Sequence, residues 1–332
     1  MNIHERDWTT TRTSAASAIY GALSYLDENA FSLIDVMGLT GHAFRMNIDP
    51  KKVHPAGPTA FPGGYILRRN LCNLGFTSCL ADPAAPVPPD KLQKTFSIIQ
   101  ESIDHGIPAI SYDLFSTEFG LIYGYDDDSQ EFYAKDPSND GVITYADFSE
   151  AKGFIFITTI SEKLPHSKYE MLRMALDMIV DHARGREWNH IFNGNFVMGL
   201  DGFEAWIKVF EKGTVDPLGN AYNAAVIADA RQFAVKFLEE LTMKWNGTNV
   251  VERGVRKLAG EAREFYIVSA EAFEQLTRLF PFPNGGIPND HNSSNKAIEL
   301  LRNAEAAEHE GIKVIEKLLQ FMKGYYSEKW IY

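Results

Sequence analysis

The residue pairs of this sequence whose spacing suits metal binding lie in its second half. Glu187 and His190, in "EWNH", have the Glu-x-x-His spacing of carboxylate-bridged di-iron bundles. Such a site needs a second pair with the same spacing and two more inward-facing glutamates, whereas "EAAEHE" offers Glu305 and His309 four residues apart. We therefore expect no metal site and no other cofactor.

The sequence contains two cysteines, Cys72 and Cys79 in "LCNLGFTSC". Two are too few for a four-cysteine zinc site or a disulfide framework, and this usage is typical of a reducing compartment. The first residues, "MNIHERDWTT", lack the apolar run of a secretory signal, and no later stretch reaches the roughly 18 apolar residues of a membrane span. We expect a cytoplasmic protein with no membrane partner.

Composition bounds the size of the fold and the kinds of partner. The chain has 332 residues, 45% of them hydrophobic, which favours two domains with cores of their own. Lys and Arg number 32 against 44 Asp and Glu, and the net charge of −12 repels phosphate backbones and anionic headgroups. Nucleic acid is therefore not an expected partner.

Hydrophobic periodicity changes once along the chain. Thr13 or Ser14 can cap a first helix, "ENAFSLIDVMGL" indicates a second, and helices are predicted near 65–74 and 91–104. Strands are predicted at 109–113, 119–127, 131–136, 141–148 and 153–160, and the short turns between them favour an antiparallel meander. Beyond "SEKLPHS" almost every segment has helical period. The prediction is an α+β chain with a domain at 1–162 and an all-helical domain at 165–332.

In papain-like cysteine enzymes, as predicted here, helices come first in the chain and strands follow. The segments "SAASAIYGALSYL", "GLTGHAF", "LCNLGF", "GIPAISYDL", "GYDDDSQEFYAKDP" and "GLDGFEAWIKVFE" resemble the butirosin biosynthesis protein H family, which carries a helical domain after the papain-like one. The resemblance extends over nearly the whole chain. It implies a papain-like N-terminal domain and a role in secondary metabolism.

The resemblance also implies three site positions. Papain-like enzymes hold a cysteine thiolate at the N-terminus of the first long helix, a histidine base on one strand and an orienting Asp or Asn on the next. These positions fall on Ser14, Glu118 and Asp136, so the cysteine and the histidine are both replaced. A hydroxyl at Ser14 stays protonated at neutral pH, and Glu118 beside Asp136 makes a like-charge pair unless one carboxyl is held protonated.

Each of the three residues also has a purely structural interpretation. Ser14 is a good helix N-cap, Glu118 suits a solvated strand end, and Asp136 before Pro137 is a common way to end a strand. His42 and Arg45 in "GHAFR" could line a cleft or be ordinary loop residues.

Three functions follow from the resemblance and the replaced residues. The first is an acyl-transfer or amide-forming protein that works without a cysteine nucleophile. The second is a pseudoenzyme that binds a small molecule or a carrier-protein-bound acyl group without covalent chemistry, and the third is a peptidase-like hydrolase. A homodimer is compatible with the sequence.

Overall fold

The computed structural model describes residues 11–26, 31–150, 153–187 and 195–329. The helices, in chain order, are α1 (Ser14–Leu23), α2 (Leu33–Leu39), α3 (Gly63–Asn73), α4 (Pro89–Asp104), α5 (Tyr145–Ser149), α6 (Lys168–Ala183), α7 (Asp201–Lys212), α8 (Pro217–Lys244), α9 (Val250–Leu279) and α10 (His291–Lys329). The strands are β1 (Asn47–Ile48), β2 (Phe76–Ala81), β3 (Ala109–Tyr112), β4 (Phe119–Asp126), β5 (Glu131–Lys135), β6 (Asp140–Thr144), β7 (Ile157–Lys163) and β8 (Val197–Met198).

The chain forms two compact units. The first contains Met1–Val36 and Phe61–His166, and the second, the helical unit, contains Met37–Ala60 and Ser167–Tyr332. The sequence-based division assigned residues 37–60 to the first domain. They belong to the helical unit because β1 pairs with β8 and because the buried Arg231 of α8 donates hydrogen bonds to the carbonyls of Ala43 and Arg45. Division of the chain at 162–165 into independently folding domains stays a prediction.

The first unit contains a six-stranded sheet with the order β2-β7-β3-β4-β5-β6, in which every neighbouring pair is antiparallel. The predicted meander describes β3 to β6 only. β7 lies between β2 and β3 instead of following β6, and β2 is not among the predicted strands. The order differs because β7 follows the short helix α5, which ends the meander.

The strand predicted at 141–148 is also too long. Residues 145–149 form α5, because the Thr144 side chain accepts a hydrogen bond from the backbone N–H of Asp147 at 3.0 Å and so caps a helical turn. The strand predicted at 153–160 begins later, at Ile157, and continues to Lys163.

The core of the first unit lies between α4 and the sheet. Ile99 and Ile103 of α4 are fully buried with Ile122 of β4 and with Phe132 and Ala134 of β5. Residues of one strand that are two apart point to the same face, so Phe132 and Ala134 both contribute to this core. This packing holds β4 and β5 against α4.

The helical unit contains α6 to α10 and the short β1–β8 ladder. Among the described residues after 165, β8 is a strand that the all-helical prediction missed. Trp206 of α7 is fully buried, and its Nε1 donates to Asn220 Oδ1 at 2.9 Å. The chain as a whole is therefore α+β, with an antiparallel sheet and a helical C-terminal region. Within the described residues, every helix is too short or too polar to cross a bilayer.

Candidate active site

Ser14 is the first helical residue of α1 and is 4% exposed. Thr13 occupies the N-cap position, with φ −90° and ψ 91°, and its side chain makes no capping hydrogen bond. Of the two residues expected to cap this helix, Ser14 is therefore not the N-cap. Its hydroxyl is directed to a strand of the sheet instead.

Glu118 immediately precedes β4 and is half-buried. The Ser14 hydroxyl donates to Glu118 Oε2 at 2.5 Å, and the backbone N–H of Phe119 donates to Ser14 Oγ at 3.2 Å. Two of the three predicted site residues are thus in direct contact. The hydroxyl links the start of α1 to the start of β4.

Asp136, directly after β5, is buried, and each of its carboxylate oxygens has three donors. Oδ2 accepts from the N–H of Phe115 at 3.1 Å and from the N–H and hydroxyl of Ser116 at 2.7 and 2.9 Å. Oδ1 accepts from the N–H and hydroxyl of Ser138 at 2.8 and 2.7 Å and from the N–H of Asn139 at 3.0 Å. A carboxylate with six donors is strongly favoured in its charged form.

The ionisation of Asp136 follows from these contacts. Burial raises the pKa of its carboxyl, but the hydrogen bonds from Ser138 and Ser116 outweigh burial and hold the pKa below its usual value. If one carboxyl of the Glu118–Asp136 pair is held protonated, these contacts disfavour Asp136 as that carboxyl.

Asp136 acts on Glu118 through the backbone of residues 115–118. Ser116 bonds to Asp136, and its carbonyl accepts the N–H of Glu118 at 2.7 Å. The strands β4 and β5 can approach closely here because position 120 is a glycine: a Cβ at Gly120 would lie 2.9 Å from Asp136 Cβ and 2.4 Å from the Lys135 carbonyl. Asp136 is therefore a positioning residue for the turn before Glu118.

A row of aromatic rings extends from Phe119 to the surface of the first unit. The Phe119 ring is stacked on Phe61, with centroids 5.6 Å apart and an interplanar angle of 5°, and lies 5.0 Å from Tyr112. Tyr112 is stacked in turn on Phe154 at 6.2 Å and 3°, and Phe154 is 49% exposed. Contacting rings therefore connect the buried Phe119, whose N–H binds Ser14 Oγ, to the exposed Phe154.

The Ser14–Glu118 pair has limited power as a nucleophile and base. A carboxylate is a weaker base than the imidazole of papain-like enzymes, and a general base is most effective when its pKa lies near the working pH. The hydroxyl is also engaged twice, as donor to Glu118 and as acceptor from Phe119. The arrangement fixes the two residues in a defined geometry more readily than it generates an alkoxide.

Other candidates from the sequence belong to a buried ion pair in the helical unit. Arg45 donates to both oxygens of Glu187, at 2.6 and 2.9 Å, and His182 Nδ1 lies 3.2 Å from both partners. Burial raises the pKa of Glu187 and Arg45 lowers it, with a net value of about 2. Glu187 is thus an ion-pair partner, and His190 lies outside the described residues. Pairing of Arg45 with residues more than a hundred positions away had no local sequence signal.

Cys72 is half-buried, Cys79 is exposed, and both are free thiols. Across the described residues, no group of three or more His, Cys, Asp or Glu side chains is arranged to hold a metal ion.

No protein-family model matches the chain, and a comparison with curated proteins also found no match. Likeness to the butirosin biosynthesis protein H family therefore rests on the motifs quoted above, and it stays a prediction.

Proposed function

We propose that this chain is a papain-like protein of the butirosin H-like kind that binds an acyl-bearing small molecule, free or on a carrier protein, without forming a covalent bond. The acyl group binds beside Ser14 and Glu118. The antiparallel sheet supports a papain-like fold. The contact between Ser14, the first residue of α1, and Glu118, which precedes β4, supports it as well. Nucleophile and base occupy these two positions in papain-like enzymes.

The observation that carries the non-covalent assignment is the double engagement of the Ser14 hydroxyl. It donates to Glu118 and accepts from the Phe119 N–H, and Ser14 is 4% exposed. Attack on a carbonyl would require Ser14 Oγ to give up the Phe119 N–H and the hydroxyl to lose its proton to Glu118, which is a weak base. The exposed ring of Phe154, stacked on Tyr112 at the end of the aromatic row, offers an apolar contact for the acyl chain.

Acyl transfer is the second candidate, and the 2.5 Å distance between Ser14 Oγ and Glu118 Oε2 favours it. In that reaction Glu118 accepts the hydroxyl proton while Ser14 Oγ attacks a thioester carbonyl. The thiolate leaves and takes up the proton from Glu118, and an amine then attacks the Ser14 ester and restores the hydroxyl. Peptide hydrolysis is less favoured, because an amine is a poorer leaving group than a thiolate and Glu118 is a weaker base than the imidazole of papain-like enzymes.

The test uses N-acetylcysteamine thioesters of straight-chain and aromatic acids as probes. Calorimetry measures binding, and mass spectrometry of the intact protein detects an acyl adduct, on wild type, Ser14→Ala and Glu118→Gln. Ser17→Ala, a buried serine on the same helix, is the matched control. Binding without an adduct, weakened by Glu118→Gln and not by Ser17→Ala, supports the binding protein. An ester that disappears in Ser14→Ala supports acyl transfer, and binding insensitive to both substitutions eliminates this site.

A further inference from the structure

Two aromatic rings surround the ammonium of Lys168, the first residue of α6, in the helical unit. Lys168 Nζ lies 4.7 Å from the centroid of the Trp245 ring and 5.5 Å from that of the Tyr169 ring. The two rings are nearly perpendicular, at 86°, with centroids 5.2 Å apart. A cation within about 6 Å of an aromatic face is attracted by the ring quadrupole. Trp245 and Tyr169 therefore form two walls of a cation-binding cage.

Glu252 supplies the negative charge of this cage. Its side chain is 6% exposed, and its Oε1 accepts hydrogen bonds from Lys168 Nζ at 2.8 Å and from the Tyr169 hydroxyl at 2.9 Å. Its Oε2 accepts the backbone N–H of Gly247 at 2.7 Å. The carboxylate is thus nearly buried and ionised, and it keeps two donors even when Lys168 is removed.

The walls of the cage are held independently of Lys168. Arg256 donates to the backbone carbonyls of Trp245 and Gly247, which fixes the turn between α8 and α9. Asn249 caps α9 by accepting the N–H of Glu252 at 2.8 Å. The backbone that carries Trp245 and Glu252 is therefore held by contacts that do not involve Lys168.

Lys168 is the loosely held member of the cluster. Its side chain is 48% exposed, so water can solvate its ammonium when it leaves Glu252. A long flexible side chain also gains rotamer freedom when it leaves. A ligand with the same charge can therefore compete with it.

We propose that Trp245, Tyr169 and Glu252 form a binding site for an alkylammonium group of a ligand, and that Lys168 occupies this site when the ligand is absent. The ligand carries a primary ammonium, because Glu252 Oε1 accepts an N–H donor at this position. Lys168 acts as an internal competitor that lowers the apparent affinity in proportion to its occupancy. Removal of Lys168 should then strengthen binding, the opposite of the result for a residue that contacts the ligand.

The probe is n-butylammonium chloride, which reproduces the end of the lysine side chain, titrated at constant ionic strength against sodium chloride. Two-dimensional NMR follows the indole N–H of Trp245, assigned with Trp245→Phe. We expect saturable shifts in the wild type and, if Lys168 fills the cage nine-tenths of the time, about tenfold tighter binding in Lys168→Ala. In the Lys168→Ala background, Glu252→Gln should weaken binding, because there the substitution cannot also release the internal competitor.

Lys208→Ala is the matched control, since Lys208 is a similarly exposed lysine paired with Glu204 on α7. It should leave the affinity unchanged. Equal affinity in wild type and Lys168→Ala would overturn the proposal, because Lys168 would then not compete with the ligand. A wild type with no saturable shift would also overturn it, because Lys168 would then be a permanent structural occupant. The gain in Lys168→Ala cannot arise from misfolding.

A second arm identifies the source of the ammonium group. The peptide acetyl-Gly-Lys-Gly-amide presents the same group on a backbone. Tighter binding of the peptide than of n-butylammonium assigns the site to a protein lysine, and equal or weaker binding assigns it to a small amine. This experiment is independent of Ser14 and Glu118, so its result does not depend on the function proposed above.

Discussion

Ser14 Oγ donates a hydrogen bond to Glu118 Oε2 over 2.5 Å, although 104 residues separate the two in the chain. The same oxygen accepts the N–H of Phe119. One hydroxyl therefore satisfies a carboxylate and a backbone donor at the point where α1 meets β4. Its removal should affect stability whether or not the site is catalytic.

Ser14→Ala should lower the free energy of unfolding by about 1–3 kcal/mol, because it leaves the Phe119 N–H buried without its acceptor and removes a donor to Glu118. Ser17→Ala is the control on the same helix: it makes the same change in side chain and removes only a 3.3 Å bond to the Thr11 carbonyl. Urea unfolding of both variants measures the difference. Equal losses would mean that the Ser14–Glu118 bond adds nothing.

Asp136 should make stability depend on pH in the acid range. Its folded-state pKa lies below the usual 3.8, so its contribution is present above pH 3.8 and is lost as the pH falls through the lower folded-state value. Asp136→Asn should lower the free energy of unfolding at neutral pH by on the order of 3 kcal/mol, and it should reduce the further loss of stability in acid. Unfolding of this variant and of the exposed Asp128→Asn across that range tests the assignment. A wild-type acid loss that Asp136→Asn leaves unchanged would refute it.

His182 should add a second pH dependence at higher pH. Burial and the neighbouring Arg45 lower its pKa below the usual 6.5, although Glu187 opposes them. The unfolded chain therefore takes up a proton at a pH where the folded one does not, so stability falls as the pH drops below 6.5. His182→Gln should remove this slope in urea unfolding, and His105→Gln, at an exposed histidine, should retain it. If both variants still lose stability as the pH drops below 6.5, His182 is not the source of this dependence.

Tyr266 should tolerate loss of its hydroxyl. The side chain is fully buried, its OH has no hydrogen-bond partner among the described residues, and its pKa is raised by burial and by Glu308. Because the OH is desolvated without compensation, Tyr266→Phe should leave the melting temperature unchanged or raise it. Tyr169→Phe removes a hydroxyl that does bond, to Glu252 at 2.9 Å, and should lower the melting temperature. A large loss in Tyr266→Phe would indicate an ordered water at that hydroxyl.

The sequence predicted elements well where local pattern decides the structure. The β-branched and aromatic runs around Ile110, Ile122 and Phe132 form strands, and the short turns between them determine antiparallel pairing. The position of β7 could not be predicted, because pairing of Ile110 with Thr158 depends on contacts distant in the chain. The helix at Tyr145 depended on one capping side chain, that of Thr144.

The candidate site was predictable in part. Contact between Ser14 and Glu118 agrees with the positions that the resemblance implied, but their chemical role stays a prediction. The positioning role of Asp136 was not predictable, since its six hydrogen bonds to two turns produce no pattern in residue spacing. The cage around Lys168 was also invisible, because Trp245 and Glu252 lie on segments that meet Lys168 only in the folded helical unit.

The place of β7 in the sheet constrains how the protein is made. β2 pairs with β7 at one side of the sheet, and the Thr77 hydroxyl bonds to the backbone of Glu162, 85 residues later. During translation β2 leaves the ribosome well before β7 is synthesised, so its edge is exposed for the time needed to add those residues. Pairing over such a separation also slows folding, because a long loop must close before its contacts form. Nascent chains that stop before Ile157 should depend on chaperones, whereas chains that extend past Lys163 can complete the sheet.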